Sequence, residues 1–200
     1  MGELALIGIR AGAVTSPSEK IRVIATEHRR DERAQLRAAQ GGSMEAVEAL
    51  YRRHWRPAYR AAYLIVHDQA AAEDIAQEAL LSALRALDRF DRRRPFGPWF
   101  HRIVVNRAID WSRARALRGE VVTAGDGGAH TVEPDDSVHE IAPALASLSP
   151  EHRAVIVLRH LLGYSPGEIS KLLGVPRGTV NSRLRRGLDQ LAESLREAGK

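Results

Sequence analysis

From Ser43 onward the apolar positions recur three and four residues apart. Met44, Val47, Tyr51, Trp55, Ala58, Ala62 and Ile65 fall on one stripe, the spacing of a helix with one face turned to a core. Pro57 stands inside this run; it lacks an N–H, so a kink or a fresh helix start is predicted there. Asp68 is placed to cap a second helix, whose stripe is Ile75, Ala79, Leu80, Ala83, Leu84 and Leu87. Phe90 to Pro98 holds two prolines and a glycine and is predicted as a loop. A third helix is expected from Pro98 to Ala116, with Phe100, Ile103, Val104 and Trp111 facing inward. Residues 1 to about 35 show no clean period and contain the turn-prone Thr15-Ser16-Pro17-Ser18. They are expected to form a mobile extension, with a short helix near Glu27 to Gln40.

The second half is punctuated differently. Gly119 to Glu140 combines the glycines of Gly125-Asp126-Gly127-Gly128 with Glu133-Pro134-Asp135-Asp136. Low hydrophobicity and one sign of charge predict a flexible linker. Ser149-Pro150-Glu151 then supplies a cap, a proline at the first helical position and an early acid. Ser165-Pro166-Gly167-Glu168 has the form of a capping box, and Gly174 suits a left-handed helix end. After Val175-Pro176 a long helix is expected to about Arg196. Two helices joined by a short glycine turn fit a helix-turn-helix. The pattern predicts an all-α chain of two small helical domains: an extension over 1–38, a first domain over 39–117, an acidic linker over 118–140, and a second domain over 141–200.

Charge sharpens this division. The chain carries a net charge of +5, but the distribution says more. Residues 89–118 hold nine arginines against Asp91 and Asp110, whereas residues 119–140 hold six acids and no Lys or Arg. A single-sign field as large as the first attracts polyanions. Other classes lose ground. No run approaches the 18 or so apolar residues needed to span a bilayer, and the mildly apolar Met1 to Val14 lacks the basic leader of a signal peptide. There is no cysteine, so disulfides and thiolate zinc sites are excluded. The eight histidines form no ligand pair of known spacing. No P-loop, nucleophile elbow or dinucleotide-binding glycine turn appears. A non-enzymatic cytoplasmic protein without metal or cofactor is expected.

Three surfaces remain as candidates. On the last helix, at about 100° per residue, Val180, Leu184, Leu188, Leu191 and Leu195 share an inward arc. Opposite lie Gly178, Thr179, Ser182, Arg185, Arg186 and Asp189, with Arg177, Asn181 and Arg183 at the flanks. Such a face suits a major groove: arginines for guanine edges, short hydroxyls, little bulk, and flanking groups for phosphates. Gly178, a poor helix former, suggests close approach to something. On the third helix Arg102, Asn106 and Arg113 point outward, with Trp99 and Asp110 at the edge and Arg92, Arg93 and Arg94 just before it. Cations beside an aromatic suit a single strand with unstacked bases; for Trp99 a core role fits equally well. On the second helix Asp74, Gln77, Glu78, Leu81 and Arg85 lie away from the apolar stripe. This is a docking face, or simply a solvated one.

Asp74-Ile75-Ala76-Gln77-Glu78, Phe90, Phe96-Gly97-Pro98-Trp99-Phe100, Asn106, Asp110 and Arg113 resemble region two of ECF sigma factors. Leu148-Ser149-Pro150-Glu151-His152-Arg153, Tyr164 to Ile169 and Gly178 to Leu184 resemble their region four. The resemblance covers about residues 40–116 and 141–195, in order. It implies that Asp74, Gln77, Glu78 and Leu81 meet the clamp helices of the RNA polymerase large subunit. It implies that Arg93, Arg94, Trp99, Arg102, Asn106, Asp110 and Arg113 melt and hold a −10 element. By the same token Arg177, Thr179, Asn181, Ser182, Arg183, Arg185 and Arg186 read a −35 element. Promoter DNA and core polymerase are the implied partners, joined in many relatives by an anti-sigma factor. Family members often carry a basic residue where Asn181 stands and a bulky apolar one where Arg185 stands, so no base preference is carried over at these two. The competing classes are a stand-alone helix-turn-helix regulator, which would bind a two-fold symmetric duplex without polymerase, and a nucleic-acid-processing enzyme. The latter needs a carboxylate cluster that Asp91 and Asp110 alone do not supply.

Overall fold

The computed structural model describes residues 30–119 and 136–198, and among these every regular element is helical. A first helix, α1, spans residues 30–40. Its Leu36 is fully buried, and the Gln40 side-chain amide donates to the carbonyls of Leu87 and Phe90 at 2.7 and 3.2 Å. From residue 30 onward, therefore, the expected mobile extension is helix packed into the first domain. The rest of that extension lies outside the described residues.

Helix α2, Met44–Val66, opens with the Ser43 hydroxyl accepting from Ala46 N and runs through Pro57 without a break. An interior proline costs about 3 kcal/mol or more. Here His54, Trp55, Ala58 and Tyr59 around it are all buried, and packing on both sides holds the helix together. The predicted stripe is inward from Trp55 onward, but Met44 at its start is 77% exposed. Helix α3, Gln69–Arg85, is capped by Asp68, whose Oδ1 accepts from Ala71 N at 2.9 Å. The other Asp68 oxygen pairs with Arg115 at 2.8 Å, so one carboxylate serves both as a local cap and as a tertiary tie to the next helix.

Helix α4, Phe96–Leu117, begins two residues earlier than expected. Pro98 sits in its first turn, where backbone N–H groups have no intrahelical partner to lose. Phe96, predicted in a loop, is 1% exposed and packs against Phe90, Trp99 and Phe100. Val105, Ala108 and Ile109 are buried as well, widening the inward face beyond the four residues expected.

The second domain begins with α5, Asp136–Ala146, so five residues expected in the linker are helical; residues 120–135 lie outside the described set. The short α6, Pro150–Ile156, is capped by Ser149 and continues into a wide helical turn, Val157–Leu161. Helix α7, Pro166–Leu173, starts with both halves of the Ser165–Glu168 capping box and ends at Gly174 with φ 69°. After that turn α8 runs over Arg177–Ala198. Helices α2, α3 and α4 form the first bundle and α6, α7 and α8 the second, while α5 lies against both α2 and α8. Ala142, Leu145 and Leu148 carry the core across, so the two bundles share one continuous apolar interior.

Candidate nucleic-acid and polymerase interfaces

The α7–α8 pair is built by its caps. Ser165 Oγ accepts from Glu168 N at 3.3 Å and Glu168 Oε2 accepts from Ser165 N at 2.8 Å. The Ser165 hydroxyl, donating to the same Oε2 at 2.7 Å, and the Ser165 N–H together hold the Glu168 carboxyl below its usual range. At the other end Ser170 Oγ donates to the Val175 carbonyl at 2.7 Å, tying α7 to the turn that aims α8. Val180 is fully buried, and Leu184 and Leu191 are half-buried. Leu188 and Leu195, placed inward by the wheel, are 41% and 57% exposed. Gly187 takes the inward place instead: a Cβ there would stand 2.9 Å from Ile156 Cδ1. The outward arc is as expected, with Arg177, Gly178, Asn181, Arg185 and Arg186 exposed and Thr179, Ser182 and Arg183 partly covered. Among the described residues nothing beyond its own helix comes within 4 Å of where a Cβ at Gly178 would stand.

On α4, Arg102, Asp110 and Arg113 are exposed and Asn106 is half-buried. Trp99 is half-buried too, its ring 4.7 Å from Phe90 and 5.5 Å from Phe96; one face is fixed by the core and the remainder is open. Arg93 and Arg94 lie exposed on the preceding turn, whose shape is set by Asp91 Oδ1 accepting from Arg93 N at 3.0 Å.

The sequence gives no sign of what lies opposite this face. Arg113 reaches the second domain, its Nε donating to Glu151 Oε1 at 2.8 Å. Burial raises the Glu151 pKa, but the Arg113 hydrogen bond and charge outweigh it and the group sits below its usual value. One small cleft is lined by Asn106, Asp110 and Arg113 of α4 together with Glu151, Val175 and Arg183 of the second domain. At the other end of α4, His101 Nδ1 and the Tyr164 hydroxyl lie 2.7 Å apart. Gly97 lies beside this pair, and a Cβ there would be in ordinary contact with that hydroxyl at 3.9 Å. Behind it His54 pairs with Glu32 of α1 at 3.0 Å. His101 is held neutral, its pKa pushed down to about 4 by burial and by the neighbouring His54. His67, the left-handed cap of α2, is likewise pushed down to about 4, by burial and by Arg153 of α6. Burial lowers Arg153 itself to about 10. These domain-spanning contacts left no periodic signal, because each partner is separated by tens of residues.

The acidic face of α3 is where it was expected. Asp74, Gln77, Glu78 and Arg85 are exposed, and Leu81 is 50% exposed. Leu81 borders a shallow hollow with Tyr51, Trp55, Gln77 and Leu80. Glu78 is ion-paired with Arg107 of α4, which also donates to Ser82 Oγ at 2.8 Å. Among the described residues no group of His, Asp or Glu could hold a metal ion, and no helix is long and apolar enough to cross a membrane.

Comparison with known proteins matches these two helical units separately. Residues 50–118 match the family model for sigma-70 region 2, and residues 139–191 that for sigma-70 region 4. The chain is 34% identical over 173 residues to the ECF RNA polymerase sigma factor SigL of Mycobacterium tuberculosis, covering 83% of this chain and 98% of the relative. The chain belongs to the ECF sigma factors. It is 35% identical over 157 residues to SigW of Bacillus subtilis, covering 70% of this chain and 83% of that one. Among solved structures, CnrH in complex with the cytosolic domain of CnrY aligns with TM-score 0.65 and 28% identity over 83% of this chain and 97% of that one. RpoE of Bartonella quintana, in complex with the anti-sigma factor NepR, aligns with TM-score 0.58 and 26% identity, covering 70% and 91%. As an ECF sigma factor the protein directs RNA polymerase to promoters. The stand-alone regulator is thereby set aside, and the family acts by recognising DNA, with no catalytic activity indicated.

Proposed function

We propose that this sigma factor divides promoter recognition between the two surfaces on α8 and α4 and docks polymerase through α3. Arg185 and Arg186, with Thr179, Asn181 and Ser182, read base edges of the −35 duplex, while Arg177 and Arg183 grip its phosphates. Arg93, Arg94, Arg102 and Arg113 hold the backbone of the melted −10 strand. Trp99 offers a stacking face worth roughly 1–3 kcal/mol per base, and Asn106 and Asp110 supply hydrogen bonds to a displaced base. Asp74, Gln77, Glu78 and Leu81 meet the polymerase clamp helices.

The observation that carries this reading is the outward arc of α8. Its arginines stand free of the core behind a capped glycine turn, while Val180 and Gly187 on the opposite side are buried. The shared cleft supports a further step. With Asn106 and Arg113 facing Arg183, one compact arrangement cannot serve two promoter elements at once, so the domains separate when polymerase and DNA are engaged. Two of the solved relatives are bound to partner proteins, one called an anti-sigma factor; a protein of that kind is the expected negative regulator here. The work is placed in the cytoplasm, with the polymerase. The test is transcription in vitro with purified core polymerase and a genomic promoter library. New start sites that depend on this chain are expected, and none appearing would end the proposal.

A further inference from the structure

At the end of α4 remote from the linker, α1 and the turn before α4 enclose an open cleft of about 660 Å³. It is lined by Arg30, Arg33, Arg37, Arg92 and Arg93. All five side chains are exposed. The two elements are held in place from behind, by Gln40 on the Leu87 and Phe90 carbonyls and by Arg33 donating to the Arg93 carbonyl at 3.5 Å. Glu32 is paired with His54 and Asp91 accepts from the Arg93 backbone, while Asp31 stands exposed next to Arg30. Five like charges brought together from positions some sixty residues apart repel one another unless an anion is bound.

We propose that this cleft binds the phosphate backbone of single-stranded DNA, prolonging the strand path of α4 beyond its captured bases. The inference rests on the strand-capture reading above, because Arg93 belongs to both surfaces, Arg94 follows it directly and Trp99 lies at the start of α4. A helix of 22 residues is about 33 Å long at about 1.5 Å per residue. Gly119, the last described residue before the chain's own acidic segment, lies at its far end. Arginine forks also suit successive phosphates of a chain. The helix α1 thus adds three cations to the strand surface from outside the stretch matched to sigma-70 region 2.

The test uses the full chain and fluorescein-labelled oligothymidylate of about twenty nucleotides, titrated by anisotropy from low to moderate KCl. The triple substitution Arg30→Ala, Arg33→Ala, Arg37→Ala is expected to make the log–log salt slope shallower by about 2, since each single-strand phosphate contact adds about 0.7. The corresponding triple lysine variant should keep the parental slope, and a thermal melt checks that Leu36 still docks α1. Removing Arg52, Arg56 and Arg196 should leave the slope unchanged; an equal loss would mean diffuse net charge and overturn the proposal. So would parental slope and affinity in the triple alanine protein. If inorganic tripolyphosphate binds the parent and not the triple variant while the oligonucleotide is unaffected, the site is for a small polyphosphate and the proposal fails. If the parent binds no single strand at all, the strand-capture reading of α4 fails with it.

Discussion

Arg113 of α4 and Glu151 of α6 are ion-paired across the two domains, Nη2 to Oε1 at 2.7 Å. The arginine is one of those assigned to the promoter strand, so pairing with Glu151 and binding a phosphate are alternatives for the same guanidinium. With Arg113 more than half exposed, the pair is worth at most roughly 1 kcal/mol after screening. Glu151→Gln should therefore shift the balance toward separated domains by up to about fivefold. Because the chain has no native cysteine, a spin-label pair can be introduced on α4 and α6 without background. A longer mean distance and tighter oligonucleotide binding are expected; an unchanged distance distribution would show that the pair does not restrain the domains.

Acid should open the same contact. His101 faces Tyr164, His54 and Glu32, and His67 faces Arg153 and the Leu145 backbone. Both are pushed down to about 4 from an ordinary value of 6.5. A lowered histidine pKa means that the open or unfolded form binds the proton better. The closed form thus keeps its full stability above about pH 6.5 and loses it as pH falls toward 4, by on the order of 3 kcal/mol per histidine if opening fully restores ordinary titration. The spin-label distance should lengthen over that range while far-UV circular dichroism holds. A distance flat down to pH 4.5 would contradict the assignment.

Arg186→Ala should relax base choice upstream by about 1–3 kcal/mol at a single position. Arg177→Ala should instead weaken binding evenly across sequences and lower the salt slope by about 0.9. Ranking a promoter library in the presence of core polymerase separates the two patterns. Identical rankings for Arg186→Ala and the parent would remove that residue from base reading.

Asp74→Lys reverses a charge on the exposed face of α3 without touching either nucleic-acid surface. Co-purification with core polymerase should fall at least tenfold while oligonucleotide binding is retained. Loss of both together would point to misfolding, which a thermal melt would reveal.

Gly187→Leu should destabilise the second domain by about 1–3 kcal/mol, because the new side chain meets Ile156 with no space to enter. A lower thermal midpoint is expected, in part restored by Ile156→Val.

Local chemistry made most of the architecture legible. The Ser149 and Ser165 caps, the Gly174 turn and the α3 stripe each depend on residues within a few positions of one another, and such signals survive in a bare sequence. Errors arose where tertiary packing overrode local preference. No fresh helix starts at Pro57, which buried neighbours carry through α2; Phe96 is drawn from a loop into an aromatic cluster; and the short helix expected near Glu27 to Gln40 is docked by Leu36 and Gln40 rather than left in a mobile extension. The wheel of α8 placed Leu188 and Leu195 inward, but Gly187 takes the inward place and lets α6 approach closely there. The candidate surfaces were legible as exposed arcs. The contact between α4 and the second domain was not, since Arg113–Glu151 and His101–Tyr164 are pairs that only the folded chain brings together.

Between Gly119 and Asp136, the last and first described residues either side of the acidic segment, the chain has 17 steps of backbone. At no more than about 3.6 Å each, these reach roughly 60 Å. That covalent leash fixes how far apart the two bundles can ever stand, whatever their surfaces prefer. Trimming it residue by residue should progressively exclude promoters with widely spaced elements, much as shortening a pair of callipers limits what it can span.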